Sequence, residues 1–230
     1  MRLSGELRKE IESDQQEIAA QIVLDDRFSE EVVAGVDLVF LEGKFEMIIS
    51  GAVALGPDRA ILDCAHSVRK ARIPYVPGYL SYREGPVALE ALERLRPKPT
   101  LLFVNRCGIN HPRRAGLASW LGVVLDMPTV GVTKNPLCGS WIPTVSTGDA
   151  SPLFCGEEIL GHVFRSKDGC RPIVVAPGHR VSVGASLDLA RRYLRGHKIP
   201  EPCRLARLYA RKVKRDMDHN FSDVEISTGS

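Results

Sequence analysis

The chain has 230 residues, 44% of them hydrophobic and 26% charged, a balance that excludes a disordered chain and fits one globular domain or at most two. No apolar run approaches the ~18 residues of a membrane helix, and Glu6, Glu10, Glu12, Asp14 and Glu17 leave no apolar signal-peptide core at the start, so a cytoplasmic protein is expected. Lys and Arg total 31 against 28 for Asp and Glu, a net charge of +3 that permits a polyanionic partner without requiring one. The six cysteines form no C-x-x-C pair, which argues against a zinc ribbon or a disulfide framework and leaves mostly free thiols.

Leu3, Leu7, Ile11, Ile18 and Ile22 lie at spacings of four and seven, the stripe of an amphipathic helix over Leu3 to Leu24. Apolar runs Val32–Phe40, Phe45–Leu55 and Ala60–Val68 are separated by the turns Glu42-Gly43-Lys44 and Gly56-Pro57-Asp58, which predicts an antiparallel three-strand meander. Pro74, Pro77 and Gly78 then break the chain. A helix is expected to begin at Pro86 and to stop before Pro97 and Pro99. Next come an apolar strand Thr100–Val104, a helix Ala115–Leu125, a strand Thr129–Thr133 and a loop from Asn135 to Cys155. Strands Leu160–Phe164 and Pro172–Ala176, a helix Ala185–Leu194 and a basic helix Arg204–Lys214 complete the pattern. The order predicts a mixed α/β sheet in a single domain, residues 1–221, with residues 222–230 as a polar, frayed tail.

Several polar side chains interrupt this apolar pattern. Asp37 sits mid-strand among core residues, so it either faces a wet side of the sheet or is buried with a metal, a cation or a proton. Glu84 stands before Pro86, where it favours a helix start or serves a site. The nine residues from Pro74 to Tyr82 hold three tyrosines and two prolines, a stiff loop suited either to packing or to pressing into a base stack. Asn105 and the segment Gly108–Arg114, then Lys134, then Gly178–Ser182 follow three apolar strands, and loops at such strand ends are where α/β sheets place ligands. Their cationic groups together favour a phosphate-bearing substrate.

The stretches Val33–Asp37, Pro74–Glu84, Gly108–Arg114, Gly131–Lys134 and Gly178–Ser182 resemble, in order and spacing, the signature blocks of the endonuclease V family across residues 5–195. The resemblance implies a ribonuclease H-like fold and Mg²⁺-dependent nicking, with Mn²⁺ as a substitute, on the 3′ side of deoxyinosine or a similar deaminated base in DNA. RNA containing inosine is a further substrate it implies, and the protein is expected to act as a monomer. Carried onto matching positions, Asp37 and Glu84 are metal ligands, His179 lies near the metal and attacking water, and Lys134 lies near the cleaved phosphate. Tyr75 is the wedge that fills the place of a flipped base, and Pro77, Gly78, Leu80 and His111 belong to the substrate-binding set.

One block departs from the family. Where an aspartate and a glycine are usual after the apolar strand, this chain has Asn105-Arg106-Cys107-Gly108. Asn105 as a ligand brings an oxygen but no charge, so a weakened metal site is expected; a nucleic-acid-binding protein on the same fold, impaired in cutting, is the alternative. Arg106 is expected either to fill the base pocket or to point outward and grip phosphate. Cys107 reads as packing, because hard Mg²⁺ avoids sulfur. His66, His162, His197 and His219 match no block, Trp120 reads as core, and Arg204, Arg207, Arg211, Lys214 and Arg215 form a basic face open to solvent or to a nucleic-acid backbone.

Overall fold

The computed structural model describes residues 3–41, 46–144 and 146–227. Among them, helix α1 (Gly5–Ala20), capped by Ser4, precedes strands β1 (Val33–Leu41), β2 (Met47–Leu55) and β3 (Ile61–Lys70). Helix α2 (Leu80–Arg94), β4 (Leu101–Val104), α3 (Leu117–Val124) and β5 (Thr129–Thr133) follow. The chain continues through β6 (Ala150–Cys155), β7 (Glu158–Phe164), β8 (Ile173–His179), α4 (Val183–Arg192) and α5 (Glu201–Ser227). The strands form one sheet in the order β3-β2-β1-β4-β5-β8-β7-β6. The meander is antiparallel as expected, β1, β4 and β5 run parallel, and the remaining pairs are antiparallel.

Three expectations change. Helix α2 starts at Leu80, with Pro86 inside it; a proline there removes a backbone bond and crowds the carbonyl four residues back, a cost offset by the burial of Val87, Ala88, Ala91 and Leu92. Glu84 therefore stands on a helix. The loop predicted from Asn135 to Cys155 contains β6, whose alternating Ser151 and Leu153 face inward and which pairs with β7. Helix α5 runs to Ser227, so residues 222–227 continue a helix; no proline or glycine interrupts the sequence between Pro202 and Gly229. The turn Glu42-Gly43-Lys44 and residues 228–230 lie outside the described residues.

Successive side chains of β1 point to opposite faces, and this splits the core in two. Ala34, Val36 and Leu38 pack with Val87, Ala91, Leu117 and Leu121 of α2 and α3. On the other face Val33, Phe103 and Val132 pack with Leu187, Ala190 and Cys203 of α4 and α5. Helix α5 approaches its face closely because two strand positions lack a side chain: a Cβ on Gly35 would lie 2.0 Å from the Pro202 carbonyl oxygen, and one on Gly51 would lie 2.8 Å from that of Ala206. Asp37, two residues beyond Gly35 on the same face, thus meets the flank of α5.

Gly35→Ala should therefore push α5 off the sheet and destabilise the fold by about 2–3 kcal/mol. Urea unfolding followed by circular dichroism checks this; an unchanged midpoint would show that α5 is not seated on this strand.

Candidate active site

A groove opens at the C-terminal ends of the parallel strands. Its lining includes Asp37, Glu84, Asn105, Arg106, Lys134 and Arg207, with Tyr75 and Leu80 at one side. The register explains the convergence, because Val36 pairs with Val104 and Val104 with Gly131, which sets Asp37 and Asn105 side by side one residue further on. The Asn105 amide N–H donates to the Val36 carbonyl at 3.1 Å and fixes that alignment. Glu84 enters from the second turn of α2, where Gly85 lets the helix rest directly on the Trp120 ring.

Both carboxylates are buried, Asp37 at 2% and Glu84 at 1% exposure, and a buried charge needs a partner. That partner is Arg106. Its Nε donates to Glu84 Oε2 at 2.6 Å and its Nη1 lies 3.3 Å from Asp37 Oδ1, so one guanidinium bridges both acids. Nη1 also donates to the Asn105 carbonyl at 2.7 Å, folding the side chain back over its own backbone. The other bonds to Asp37 come from the Leu38 N–H at 2.8 Å to Oδ1 and from Asn105 Nδ2 at 2.8 Å to Oδ2. Arg207 of α5 brings Nε to 4.0 Å from Oδ2. Burial by itself pulls the Arg106 guanidinium down, but Glu84 and Asp37 outweigh it and hold the group above its usual range, so it stays charged. Replacing Arg106 by a neutral residue would strand two buried anions at a cost of about 3–5 kcal/mol.

Beside the groove lies a narrow recess of about 40 Å³, walled by Pro77, Gly78, Leu80, Arg106, His111 and Leu117, with Tyr75 at its rim. Tyr75 is 62% exposed, an unusual setting for an aromatic ring on a stiff loop. The rest of that loop is clamped. The Gly78 carbonyl accepts from Gln15 Nε2 at 2.8 Å, His111 Nε2 at 3.1 Å and Arg113 Nη2 at 3.2 Å. Gly78 itself is at φ +86°, the left-handed region where glycine costs nothing. Tyr79 hydrogen-bonds Glu12 through its hydroxyl, and Arg113 stacks 4.9 Å over its ring. Arg106 borders the recess, as pocket filling would require, but its charged head turns to the two acids rather than outward to solvent.

Of the residues singled out from sequence, Asp37, Glu84, Asn105 and Lys134 share the groove, and Tyr75, Pro77, Gly78, Leu80, Arg106 and His111 share the recess. His179 is elsewhere. It pairs in register with Thr129 at the start of β5, the end of the sheet away from Asn105, accepts from the Val23 N–H at 3.3 Å and faces Asp126 at 3.6 Å. Burial lowers its pKa, and the expected role beside a metal and water does not fit this position. Cys107 is buried with its thiol pushed up to about 12, which agrees with packing. Gln15, the buried anchor of the Gly78 clamp, had no signal in the sequence. Of the basic helix face expected from sequence, Arg207 and Arg211 line the groove. Ala206 and Ala210, small residues facing Gly51, were the available signal that this helix lies close to a strand.

An eight-stranded mixed sheet with helices on both faces, one carboxylate on a central strand and a second brought beside it from a helix, is a ribonuclease H-like arrangement. The endonuclease V family profile matches residues 16–208. The endonuclease V of Dictyoglomus turgidum is 38% identical over 201 residues, 86% of this chain and 87% of that protein. Among solved structures, endonuclease V from Streptomyces avermitilis superposes with a TM-score of 0.83 at 32% identity, covering 91% of this chain and 94% of that one. The catalytic domain of human endonuclease V gives 0.86 at 30% identity, over 94% and 98%. A Ciona intestinalis endonuclease V, solved with DNA containing an inosine followed by a ribo-adenosine, gives 0.81 at 26% identity, over 94% and 100%. The chain belongs to the endonuclease V family, a family of nucleases that hydrolyse phosphodiesters.

Members of that family generally depend on a divalent metal. The residues in this groove do not fit one as they are arranged. Two acids, both engaged by Arg106, and one amide that spends its N–H on Asp37 make a poor cage for a dication, and among the described residues no cluster of three His, Cys, Asp or Glu side chains could hold a metal.

His111 gives the recess a measurable pH response. Burial first, then the charge of Arg113, lowers its pKa to about 4. The neutral ring suits its bonds, since Nε2 donates to Gly78 while Nδ1 accepts from the Arg113 N–H at 3.2 Å. The folded value lies below the unfolded value of ~6.5, so the unfolded chain takes up the proton first and stability falls as pH drops from about 6.5 toward 4. This site accounts for up to ~3 kcal/mol of that loss. In urea titrations across this range, His111→Gln should flatten the slope relative to the parent; identical slopes would exclude the assignment.

Proposed function

We propose that this chain recognises a deaminated purine, deoxyinosine or a close analogue, in DNA and acts on the phosphodiester on its 3′ side, with cutting held far below what an open carboxylate site would give. The observation that carries this reading is the adjoining of the buried acids to a narrow recess with an exposed Tyr75 at its rim. In this reading Tyr75 presses into the stack and fills the place of an extruded base. A mismatched base costs less to extrude than a paired one, which supplies selectivity before any contact is made. Leu80, Pro77 and the clamped Gly78 then wall the displaced base, and the rigid clamp from Gln15, His111 and Arg113 keeps the wedge from yielding. Lys134, Arg207 and Arg211 outnumber any free acid in the groove and bind the sugar-phosphate backbone. Inosine-containing RNA would meet the same wedge and cations.

The bridging of Asp37 and Glu84 by Arg106 specifically favours a second reading, in which the chain binds altered bases without cutting. Mg²⁺, Mn²⁺ or any other metal enters neither description of binding.

A labelled duplex carrying one deoxyinosine separates the two readings. The protein should bind it at least about tenfold more tightly than the undamaged duplex, a gap of ~1.4 kcal/mol, and Tyr75→Ala should erase most of that preference with the fold unchanged. Nicking in Mg²⁺ that is at most marginal in the parent, appears in Asn105→Asp/Arg106→Gly and is lost again when Asp37→Ala is added supports the nuclease. Preferential binding with no nick at protein excess selects the second reading, and equal binding of both duplexes contradicts both.

A further inference from the structure

We propose that Arg106 is a resident cation that closes the carboxylate centre to divalent metal ions, so that this chain takes up metal there only when the guanidinium is removed. The proposal rests on the groove being the strand-cutting centre described above, and it adds how that centre is held shut. Arg106 meets both acids with hydrogen-bond donors on one rigid plane, at 2.6 Å to Glu84 and 3.3 Å to Asp37. A hard dication would need the same two oxygens at ~2.1 Å, within the space these N–H groups fill. It would also have to approach a fixed positive charge. Guanidinium suits the task better than a lysine ammonium, because its planar fork spans two acids at once and it does not lose its proton.

The surroundings reinforce the closure. Asp37 accepts from the Leu38 N–H and from Asn105 Nδ2, and Arg207 stands 4.0 Å from its second oxygen, so both oxygens are engaged. Asn105 removes one negative charge at the place where another acid would have pulled a metal in. Arg106 is also tied to the Asn105 carbonyl at 2.7 Å, which keeps its head over the acids rather than out in the groove. The consecutive pair Asn105-Arg106 thus does two complementary things, removing a carboxylate and supplying a cation for those that remain. The device would allow the groove to hold a nucleic-acid strand independently of metal supply.

The test uses Mn²⁺ alone, without nucleic acid, followed by electron paramagnetic resonance of the free ion and by thermal melting. The parent protein should take up no Mn²⁺ at millimolar concentration and show the same melting temperature with EDTA or Mn²⁺. Arg106→Gly, and Arg106→Gln as a neutral variant of nearer size, should melt lower in EDTA, regain stability in Mn²⁺ and bind the ion at least about tenfold more tightly than the parent. Adding Glu84→Gln to either variant should abolish that uptake, which places the ion at this pair. Parent protein that binds Mn²⁺ within about twofold of the variants overturns the proposal, as do variants that fold yet take up none. Because no nucleic acid is present, these outcomes are independent of whether deoxyinosine is the ligand.

Discussion

Two carboxylates at the end of a sheet, both sealed from solvent, have to be neutralised by something, and in this protein a single guanidinium does it. The bridge from Arg106 to Asp37 and Glu84 decides the charge of the groove, the position of the loop after β4 and the side of the recess that this residue borders. A buried ion pair of this kind contributes little net stability, because desolvation of both partners offsets their attraction, but loss of one partner is costly. The bridge is therefore better understood as a determinant of what the site will accept than as a source of stability.

The scaffold makes the bridge possible by close approach. Gly35 and Gly51 admit α5 onto β1 and β2, and that contact places Arg207 beside Asp37. Gly85 admits α2 onto Trp120 and sets the depth at which Glu84 enters. On the far side of Arg106, three donors converge on the Gly78 carbonyl and hold the tyrosine loop rigid while Tyr75 itself remains free. A fixed wall with one exposed ring can discriminate by what fits, since rigid sites lose little entropy on binding.

Much of this was legible in the chain. The meander, the short apolar strands and most helices followed from periodicity, because half-buried strands and amphipathic helices leave opposite signatures. Asp37 was marked as costly from its apolar neighbours alone, and the tyrosine loop from its composition. Pro86 misled the helix start because proline usually marks the first helical position, whereas here it lies nearly two turns inside α2. Strand β6 was hidden by Pro152 and by Ser151, a polar residue on its inward face. The residues that sequence could not place owe their roles to distant partners: Gln15 lies 63 positions from Gly78. Arg106 showed two plausible directions, outward or into the pocket, and took a third because only the folded chain brings both acids within its reach. His179 shows the converse, a residue in a matching motif that the antiparallel run of β8 carries to the opposite end of the sheet from Asn105.

The central claim concerns which cation sits between residues 37 and 84, and anomalous diffraction from crystals grown in Mn²⁺ measures that directly. The account predicts continuous side-chain density from Arg106 to both carboxylates and no anomalous peak between them. A manganese peak bound by Asp37 and Glu84, with the arginine swung into the groove, would contradict it.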